Sequence, residues 1–313
     1  MRFLTLLMLA GGLVMSGCGS SNNSDDPADA SGLVSTANQQ TTNTTVAAIA
    51  ENLRAMLDAN DNISVVSVFD HAANAQSAGM DLPPTTVIIF GNPALGTPLM
   101  QAARTTGIDL PQKFLVFQEG DDIFVSYNGT RYLMARHDIQ AREEQLNTIA
   151  GALRMFAQNA TGADIAEDAG STAPGIDTRE GVVISTSNFD FDTTATRLQQ
   201  AIEANSNLSL VDNLDPFDHA ANAQTVNMDL PPTQLFVFGN PALGTPLMQS
   251  ARTFGIDLPQ KILVYQVGDD VFVAYNDPFF LAARHNLANQ NDRLETIAGA
   301  LANLAQQATT DSQ

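Results

Sequence analysis

The 313-residue chain has little positive charge, one cysteine and no long apolar run beyond its first residues. It contains 14 Lys and Arg residues against 34 Asp and Glu residues, a formal net charge of −20. A chain this acidic repels a phosphate backbone and an anionic lipid surface, so we expect no nucleic-acid partner and no docking through a basic patch. A single cysteine excludes an intramolecular disulfide. The sequence after the amino-terminal segment has no run of membrane-spanning length.

The cysteine directly follows this apolar amino-terminal segment. Arg2 precedes the apolar run Phe3–Met15, which is followed by Ser-Gly-Cys18. A short apolar segment that ends in small residues and a cysteine resembles the lipobox of bacterial lipoproteins. We therefore expect residues 1–17 to be a signal peptide and Cys18 to carry the lipid. The alternative is an ordinary cleaved secretory signal with an incidental thiol.

The expected anchor predicts a location in the bacterial cell envelope. The protein would be held outside the cytoplasmic membrane, on its periplasmic side, and its only membrane contact would be the lipid. Gly19 follows the cysteine where an Asp would indicate retention, so in a two-membrane bacterium the outer membrane is a candidate destination. Residues 18–31 are polar and aperiodic, and they predict a flexible tether.

An internal repeat divides the rest of the chain. The segment Asp70–Gln76 recurs 148 residues later, and the segment Phe90–Lys113 recurs at the same shift with two differences. A period this long indicates a domain duplication rather than a solenoid. We expect a first domain at 32–158, a linker at 159–178 and a second domain at 179–308.

Each copy contains the same pattern of strands and helices. The apolar run Thr86–Phe90 predicts a buried strand, and the runs 113–117 and 123–127 predict a hairpin. We expect Thr97 and Pro98 to begin a helix that ends at Gly107. Strands joined by hairpins, with helices at the ends, predict an α+β fold made of two tandem small domains, each a mainly antiparallel sheet with flanking helices.

These motifs also resemble a known family. The run Phe-Gly-Asn-Pro-x-x-Gly-Thr-Pro-Leu-Met, the later Leu-Pro, the Tyr-Asn pair and the Arg-His pair are similar to the domain-of-unknown-function 302 family. The resemblance covers residues 69–153 and 217–301. It implies a compact α+β domain, and it implies no agreed activity, cofactor or partner.

The four histidines form two equivalent pairs, one pair in each copy. His71 and His219 follow an aspartate, whereas His137 and His285 follow an arginine. Two imidazoles and the neighbouring carboxylate could ligate a metal if the fold brings them together. The alternative is that each histidine hydrogen-bonds local backbone, because the sequence has no closely spaced His-x-x-His or Cys/His motif. The sequence does not identify a cofactor.

The loop that begins at Gly91 is a second candidate. Two glycines next to a helix start can expose several backbone N–H groups, which suit an anion. Lys113 and Lys261, the only lysines, occupy the same place in both copies. The alternative is turn geometry alone. The candidate ligand-binding residues are Asp70, His71, Gly91, Asn92, Gly96, Thr97, Lys113 and His137, with Asp218, His219, Gly239, Asn240, Gly244, Thr245, Lys261 and His285.

The sequence favours a binding role over catalysis. It has no Gly-x-Ser-x-Gly elbow, and its cysteine is assigned to the anchor. We expect a non-catalytic binding or scaffolding lipoprotein with two equivalent clefts, each built from the Asp-His segment, the Gly-Asn-Pro loop and the lysine of one domain. Candidate partners are a small anionic ligand or an envelope protein. The alternative is a metal-dependent enzyme or accessory factor that uses the paired histidines, and a third hypothesis is a purely structural role.

Overall fold

The computed structural model describes residues 31–311, except 41–43, 171–174, 212–213 and 215. The expected signal peptide, Cys18 and nearly all of the expected tether lie outside the described residues. Within the described part of the chain, no helix is long and apolar enough to cross a membrane.

The first copy is a five-stranded antiparallel sheet with helices at its ends. Its strand order is β1-β5-β4-β3-β2. The strands are β1 (Leu33–Ala37), β2 (Ser64–Asp70), β3 (Thr85–Gly91), β4 (Gln112–Glu119) and β5 (Asp122–Asn128). The helices are α1 (Val46–Asp58), α2 (His71–Ser77), α3 (Pro93–Ala102), α4 (Thr130–His137) and α5 (Glu143–Thr161), with 3-10 turns at Arg104–Ile108 and Gln140–Arg142.

The second copy repeats this arrangement, with two short strands in place of β2. The strands β6, β11, β10, β9 and β7 follow one another across the sheet, and β8 also pairs with β9. The strands are β6 (Val182–Thr186), β7 (Ser209–Leu210), β8 (Phe217–Asp218), β9 (Thr233–Gly239), β10 (Gln260–Val267) and β11 (Asp270–Asn276). The helices are α6 (Phe191–Glu203), α7 (His219–Thr225), α8 (Pro241–Ser250), α9 (Pro278–Arg284) and α10 (Asn291–Thr309), with a 3-10 turn at Arg252–Asp257. The predicted α+β class and the two tandem antiparallel domains are confirmed.

Both faces of each sheet are buried, which explains the apolar run of β3. Ile88 and Phe90 point to a core shared with α1 and α5. Ile89, on the opposite face, packs in a core that includes Leu235 and Leu263 of the second copy. Successive side chains of a strand alternate between faces, so a strand covered on both sides needs apolar residues at every position. The two sheets therefore pack against each other, and each carries its own helices on the outside.

The helix after β3 begins earlier than the sequence predicted. Thr97 and Pro98 lie inside α3, and the Oδ1 of Asn92 caps the helix by accepting a hydrogen bond from the backbone N–H of Ala94 at 3.0 Å. Pro93 occupies the first helical position, where its missing N–H costs nothing. Asn92 and Pro93 thus form a better start signal than Thr97 and Pro98, and the expectation that Thr97 caps the helix is wrong. Gly107 lies in the following 3-10 turn rather than directly after α3.

The boundary after the first copy also differs from the expected one. Helix α5 continues to Thr161, three residues into the segment 159–178 that was expected to be a linker. Ile165, further along this segment, is buried in the core of the first domain. The first part of the expected linker is therefore packed on the first domain.

Candidate functional site

The two copies meet in an interface with approximate two-fold symmetry. The Nε2 atom of His71 lies 3.0 Å from the main-chain oxygen of Gly255 in the second copy. The equivalent Nε2 of His219 lies 3.1 Å from the oxygen of Gly107 in the first copy. Because a carbonyl oxygen only accepts, each Nε2 carries the proton and donates it. These two histidines tie the domains together.

A buried charge cluster occupies the middle of this interface. In the first copy, the Oδ2 of Asp109 accepts hydrogen bonds from the Nη1 of Arg136 at 2.9 Å and from the Nε2 of His137 at 2.8 Å. The other ring nitrogen of His137 lies 3.1 Å from the hydroxyl of Thr105. Both ring nitrogens are therefore engaged, and the imidazole has no free position for a metal.

The second copy repeats the cluster. The Oδ2 of Asp257 accepts from the Nη1 of Arg284 at 2.7 Å and from the Nε2 of His285 at 2.8 Å. The Nδ1 of His285 lies 3.0 Å from the hydroxyl of Thr253. All six charged or titratable side chains of the two clusters are buried.

The arginines extend each cluster across the interface. The Nη2 of Arg136 donates to the Oδ1 of Asn276 at 2.8 Å, and the Nη2 of Arg284 donates to the Oδ1 of Asn128 at 2.6 Å. The Arg284 guanidinium also lies 4.0 Å above the centre of the Tyr132 ring. A planar guanidinium with five donors can serve an aspartate, an amide and main-chain carbonyls at once, which a lysine cannot do.

The electrostatics of the cluster are set by burial and by the arginines. Burial raises the pKa of Asp109, but the Arg136 guanidinium, the His137 hydrogen bond and the Lys113 charge outweigh burial and hold that pKa well below its usual range. Burial lowers the pKa of His137, and the hydrogen bond to Asp109 only partly offsets this. The cluster therefore holds ionised aspartates, charged arginines and neutral histidines.

The structure separates the residues that were expected to share a metal site. Asp70 caps α2 by accepting from the backbone N–H of Ala73 at 3.0 Å, so its carboxylate is directed to the helix end, whereas His71 is directed to the second copy. Across the described ranges, no group of three or more His, Cys, Asp or Glu side chains is placed to hold a metal.

A cavity of about 240 Å³ lies where the Gly-Asn-Pro loop of the first copy meets the Asp-His helix of the second. The lining includes Gly91 at the end of β3, the helix cap Asn92, Gly96 and Thr97 of α3, and His219 of the second copy. The sequence predicted a cleft in which both segments come from one domain. The pairing is instead between domains, because α2 and α7 pack on α8 and α3 of the opposite copy.

Two residues that line this cavity each carry a buried polar atom without a hydrogen-bond partner. These atoms are the hydroxyl of Thr97 and the amide nitrogen of Gln112, and both side chains are buried. The rest of the lining is mostly apolar and includes Phe90, Leu110 and Phe156. An unpartnered buried polar group costs about 1–3 kcal/mol, so a ligand that pairs with these atoms would recover that cost.

The corresponding cavity in the second half has a different shape. It has a volume of about 490 Å³ and is lined by Gly239, Asn240, Gly244 and Thr245 together with His71 of the first copy. The long helix α5 lines the first cavity, whereas α10 does not line the second one. The two cavities are built from equivalent loops and histidines but are not identical.

The lysines lie apart from both of these cavities. Lys113 and Lys261 are buried between the two sheets, where they line a third, very small cavity. The expected combination of the Gly-Asn-Pro loop with a lysine is therefore absent among the described residues that line these two interface cavities.

The site also depends on residues that the sequence analysis did not select. These are Asp109, Arg136, Asn128 and Gln112, with their equivalents in the second copy. A signal for them was present, since all four lie in segments that recur at the same shift of 148 residues. An aspartate in the loop sequence Gly-Ile-Asp-Leu-Pro looks solvent-exposed, and nothing local indicates that an arginine will bury it.

A comparison with protein families agrees with the duplicated architecture. The model described as "Domain of unknown function DUF302" matches residues 38–156 and 183–304. The chain belongs to the DUF302 family. The two matched segments cover most of the two sheets and their helices, although β1 lies before the first match, so each half is one DUF302 domain.

Similar proteins match parts of the chain. The fluoride-specific ion channel FluC 1 of Brucella suis and that of Brucella abortus are both 47% identical to this chain over 76 residues. The matched part is 24% of this chain, and the chain spans 30% and 28% of the length of those relatives. The crystal structure of an uncharacterized conserved DUF302 protein from Bacillus stearothermophilus is 18% identical, with a TM-score of 0.37, over 42% of this chain and 98% of that one.

We expect the substitution Arg136→Met to lower the stability of the folded two-domain protein strongly. The substitution leaves the Asp109 carboxylate buried without its main counter-charge and removes the bond to Asn276. Breaking a buried pair in this way costs about 3–5 kcal/mol. Urea unfolding would measure the loss. The control is Arg54→Met, since Arg54 forms ion pairs on an exposed helix face and its loss should cost under ~1 kcal/mol. Equal effects of the two variants would contradict the assigned role of the cluster.

We expect stability to fall on acidification from about pH 6.5 to pH 4. Burial lowers the pKa of His71 and of His219 to about 4, so the folded state binds fewer protons than the unfolded chain in this interval. The contribution of each histidine to the free energy of unfolding is fully present above about pH 6.5. Below that pH it falls by up to about 1.4 kcal/mol per pH unit. Urea unfolding at several pH values would measure the slope.

The double variant His71→Gln with His219→Gln tests the cause. Glutamine keeps an N–H donor for the carbonyls of Gly255 and Gly107 but does not titrate. The pH slope should flatten in this variant. An unchanged slope would assign the acid sensitivity to other groups.

Proposed function

We propose that this DUF302 protein is an envelope lipoprotein that binds a small, mainly apolar molecule in the cavity between its domains. The observation that carries the proposal is that Thr97 and Gln112, which line this mostly apolar cavity, each carry a buried polar atom without a partner, the hydroxyl and the amide nitrogen. Ligand sites of this kind are concave and apolar, with a few polar groups that fix the orientation of the ligand. The ligand would carry one hydrogen-bonding group.

The size of the cavity limits the ligand. A dry apolar cavity of about 150 Å³ accommodates benzene, and the cavity described here has about 240 Å³. A substituted single ring or a short branched chain would therefore fit. A donor–acceptor group such as a hydroxyl can accept from the Gln112 amide and donate to the Thr97 oxygen.

The proposal favours binding over metal-dependent catalysis. Both ring nitrogens of His137 are engaged, and His71 is used for the interface. The metal-dependent alternative therefore has no observation in its favour within the described ranges.

The lipid anchor would place the cavity near a membrane. The first described residues are fixed to the second domain, since Ser31 accepts a hydrogen bond from the Nε of Arg284 at 2.9 Å and its N–H donates to the main-chain oxygen of Arg284 at 3.0 Å. A tether that runs from Cys18 to Ser31 can extend to at most about 45 Å at ~3.4 Å per residue. The domains would then sit within that distance of the bilayer.

We expect the cavity to prefer p-cresol over p-xylene, since the two molecules differ by a hydroxyl in place of a methyl group. A hydrogen bond that satisfies Thr97 should give a several-fold preference. Thr97→Val should reduce this preference, and it should not destabilise the empty protein because the hydroxyl has no partner there. Ligand-observed NMR and calorimetry would measure both affinities. The control is Thr245→Val at the equivalent position of the second copy.

A second pair of variants tests the place of binding. Ala152 on α5 lines the cavity, so Ala152→Phe should fill it and abolish binding of both molecules. Ala300 occupies the equivalent position of α10 and lies outside this cavity, so Ala300→Phe should leave binding unchanged. Equal binding by wild type and Ala152→Phe would overturn the proposal.

We expect Cys18→Ser to release the protein from membranes. The substitution removes the thiol that would carry the lipid, and the described part of the chain has no spanning helix to replace it. Membrane fractionation and mass spectrometry of the amino terminus would detect the change. A wild-type protein without a lipid, or a Cys18→Ser protein that stays in the membrane fraction, would exclude the anchor.

A further inference from the structure

The two lysines of the chain meet at the centre of the domain interface. Lys113 is 4% exposed and Lys261 is 6% exposed. The Nζ of Lys261 donates to the main-chain oxygen of Asp257 at 3.2 Å. Within the described part of the chain, the Lys113 ammonium forms no hydrogen bond that would account for its burial. A buried ammonium normally has a paired carboxylate. Here the arginines and histidines engage only the Oδ2 of each aspartate, and the buried Oδ1 atoms of Asp109 and Asp257 accept no hydrogen bond from either lysine.

The charges around the lysines do not balance. The buried acidic side chains of the described ranges are Asp109 and Asp257. They face the cations Arg136 and Arg284 in addition to the two lysines. With neutral histidines and both lysines protonated, four cationic groups would meet two carboxylates. Such an excess of buried positive charge is costly unless a proton leaves or an anion enters.

A small cavity lies between the lysines. Its volume is about 10 Å³, and it is lined by both lysines and by the apolar side chains of Ile89, Leu235 and Val237. This volume is close to the minimum that holds one water-sized particle. Both lysines are almost fully buried, so an electrostatic interaction with them is stronger there than at a surface.

We propose that a single monatomic anion of the halide class binds between Lys113 and Lys261. The site is separate from the apolar cavity described above, and the proposal does not depend on ligand binding there. Fluoride, which is close to water in size, should fit better than the larger chloride ion. The anion would bridge the lysines of the two copies and so hold the domains together.

The protonation of the lysines would report a bound anion. Burial, followed by the charge of Lys113, lowers the pKa of Lys261 to about 7 when the cavity is empty. Burial also lowers the pKa of Lys113, although Asp109 and Asp257 oppose this. A bound anion favours the charged form of a neighbouring ammonium, so it should raise both pKa values.

The experiment uses the fact that the chain contains two lysines and no more. Lysine labelled with ¹³C at Cε gives one NMR signal for each residue, and its shift reports the charge of the ammonium group. The full chain in detergent is refolded in sodium fluoride, sodium chloride or sodium gluconate at equal ionic strength, and both signals are titrated with pH. Gluconate is the control because it is too large for the cavity.

We expect both lysine pKa values to be higher in fluoride than in gluconate by about one unit, with a smaller rise in chloride. The signals should shift saturably with one halide per chain, and ¹⁹F NMR should show a bound fluoride. Identical titrations in all three salts would overturn the proposal and assign the cavity to water or to a neutral lysine. A non-saturating change would do the same, since it indicates general screening.

A pair of variants distinguishes an effect of this site from an effect of the overall charge of the protein. Lys261→Met should abolish the halide effect on the Lys113 signal. Arg54→Met removes the same unit of charge from an exposed helix and should leave the effect intact. If Lys261→Met fails to fold, the wild-type titrations alone decide the question, because they need no substitution.

Discussion

The buried arginine pairs between the two copies are the constraint on which the rest of the structure depends. Each guanidinium binds an aspartate of its own copy and an asparagine of the other. A buried ion pair contributes little net stability, but the loss of one partner is severe, since a charge is then left without compensation. Separation of the two copies would therefore expose these charges to water or leave them buried without a partner. The pairs fix the register of the two sheets and make the halves one folding unit.

An interface of this kind explains why the repeat has diverged unevenly. In an isologous contact, the same surface patch serves both partners, so each residue has to suit two environments that are nearly the same. The segments Asp70–Gln76 and Phe90–Lys113 supply the histidine contacts, the packing of α2 and α3 and the lysines, and they recur almost unchanged. The first helix of each copy, α1 or α6, packs on the outer face of its sheet, and these helices differ more between the copies. The interface is thus enough to explain why these segments are similar in the two copies. The similarity indicates a ligand site only where that site overlaps the interface.

The sequence predicted the local elements well and the contacts between domains poorly. Apolar runs identified the strands of the sheet because such runs reflect the burial of single strands. The hairpin of β4 and β5 was predicted from two of these runs, and Gly120 lies in its turn. The expected cap at Thr97 failed because Asn92 with Pro93 competes for the same helix start. The pairing of the Gly-Asn-Pro loop with the opposite histidine depends on how two sheets dock. The periodicity of a sequence carries no information about how two sheets dock. The burial of Asp109 depends on the same docking, so it could not be predicted either.

The cavity and the interface are parts of one arrangement. His219 reaches the carbonyl of Gly107 from the start of α7, and the same helix brings Asn222 to the edge of the Gly91–Thr97 loop. Phe217, His219 and Asn222 of the second copy therefore complete a cavity whose other lining residues belong to the first copy. A molecule that binds only the docked state stabilises it by mass action, and the coupling is reciprocal: anything that tightens the interface also raises affinity for the cavity. Duplication thus lets one copy close a cavity that the other copy forms only in part.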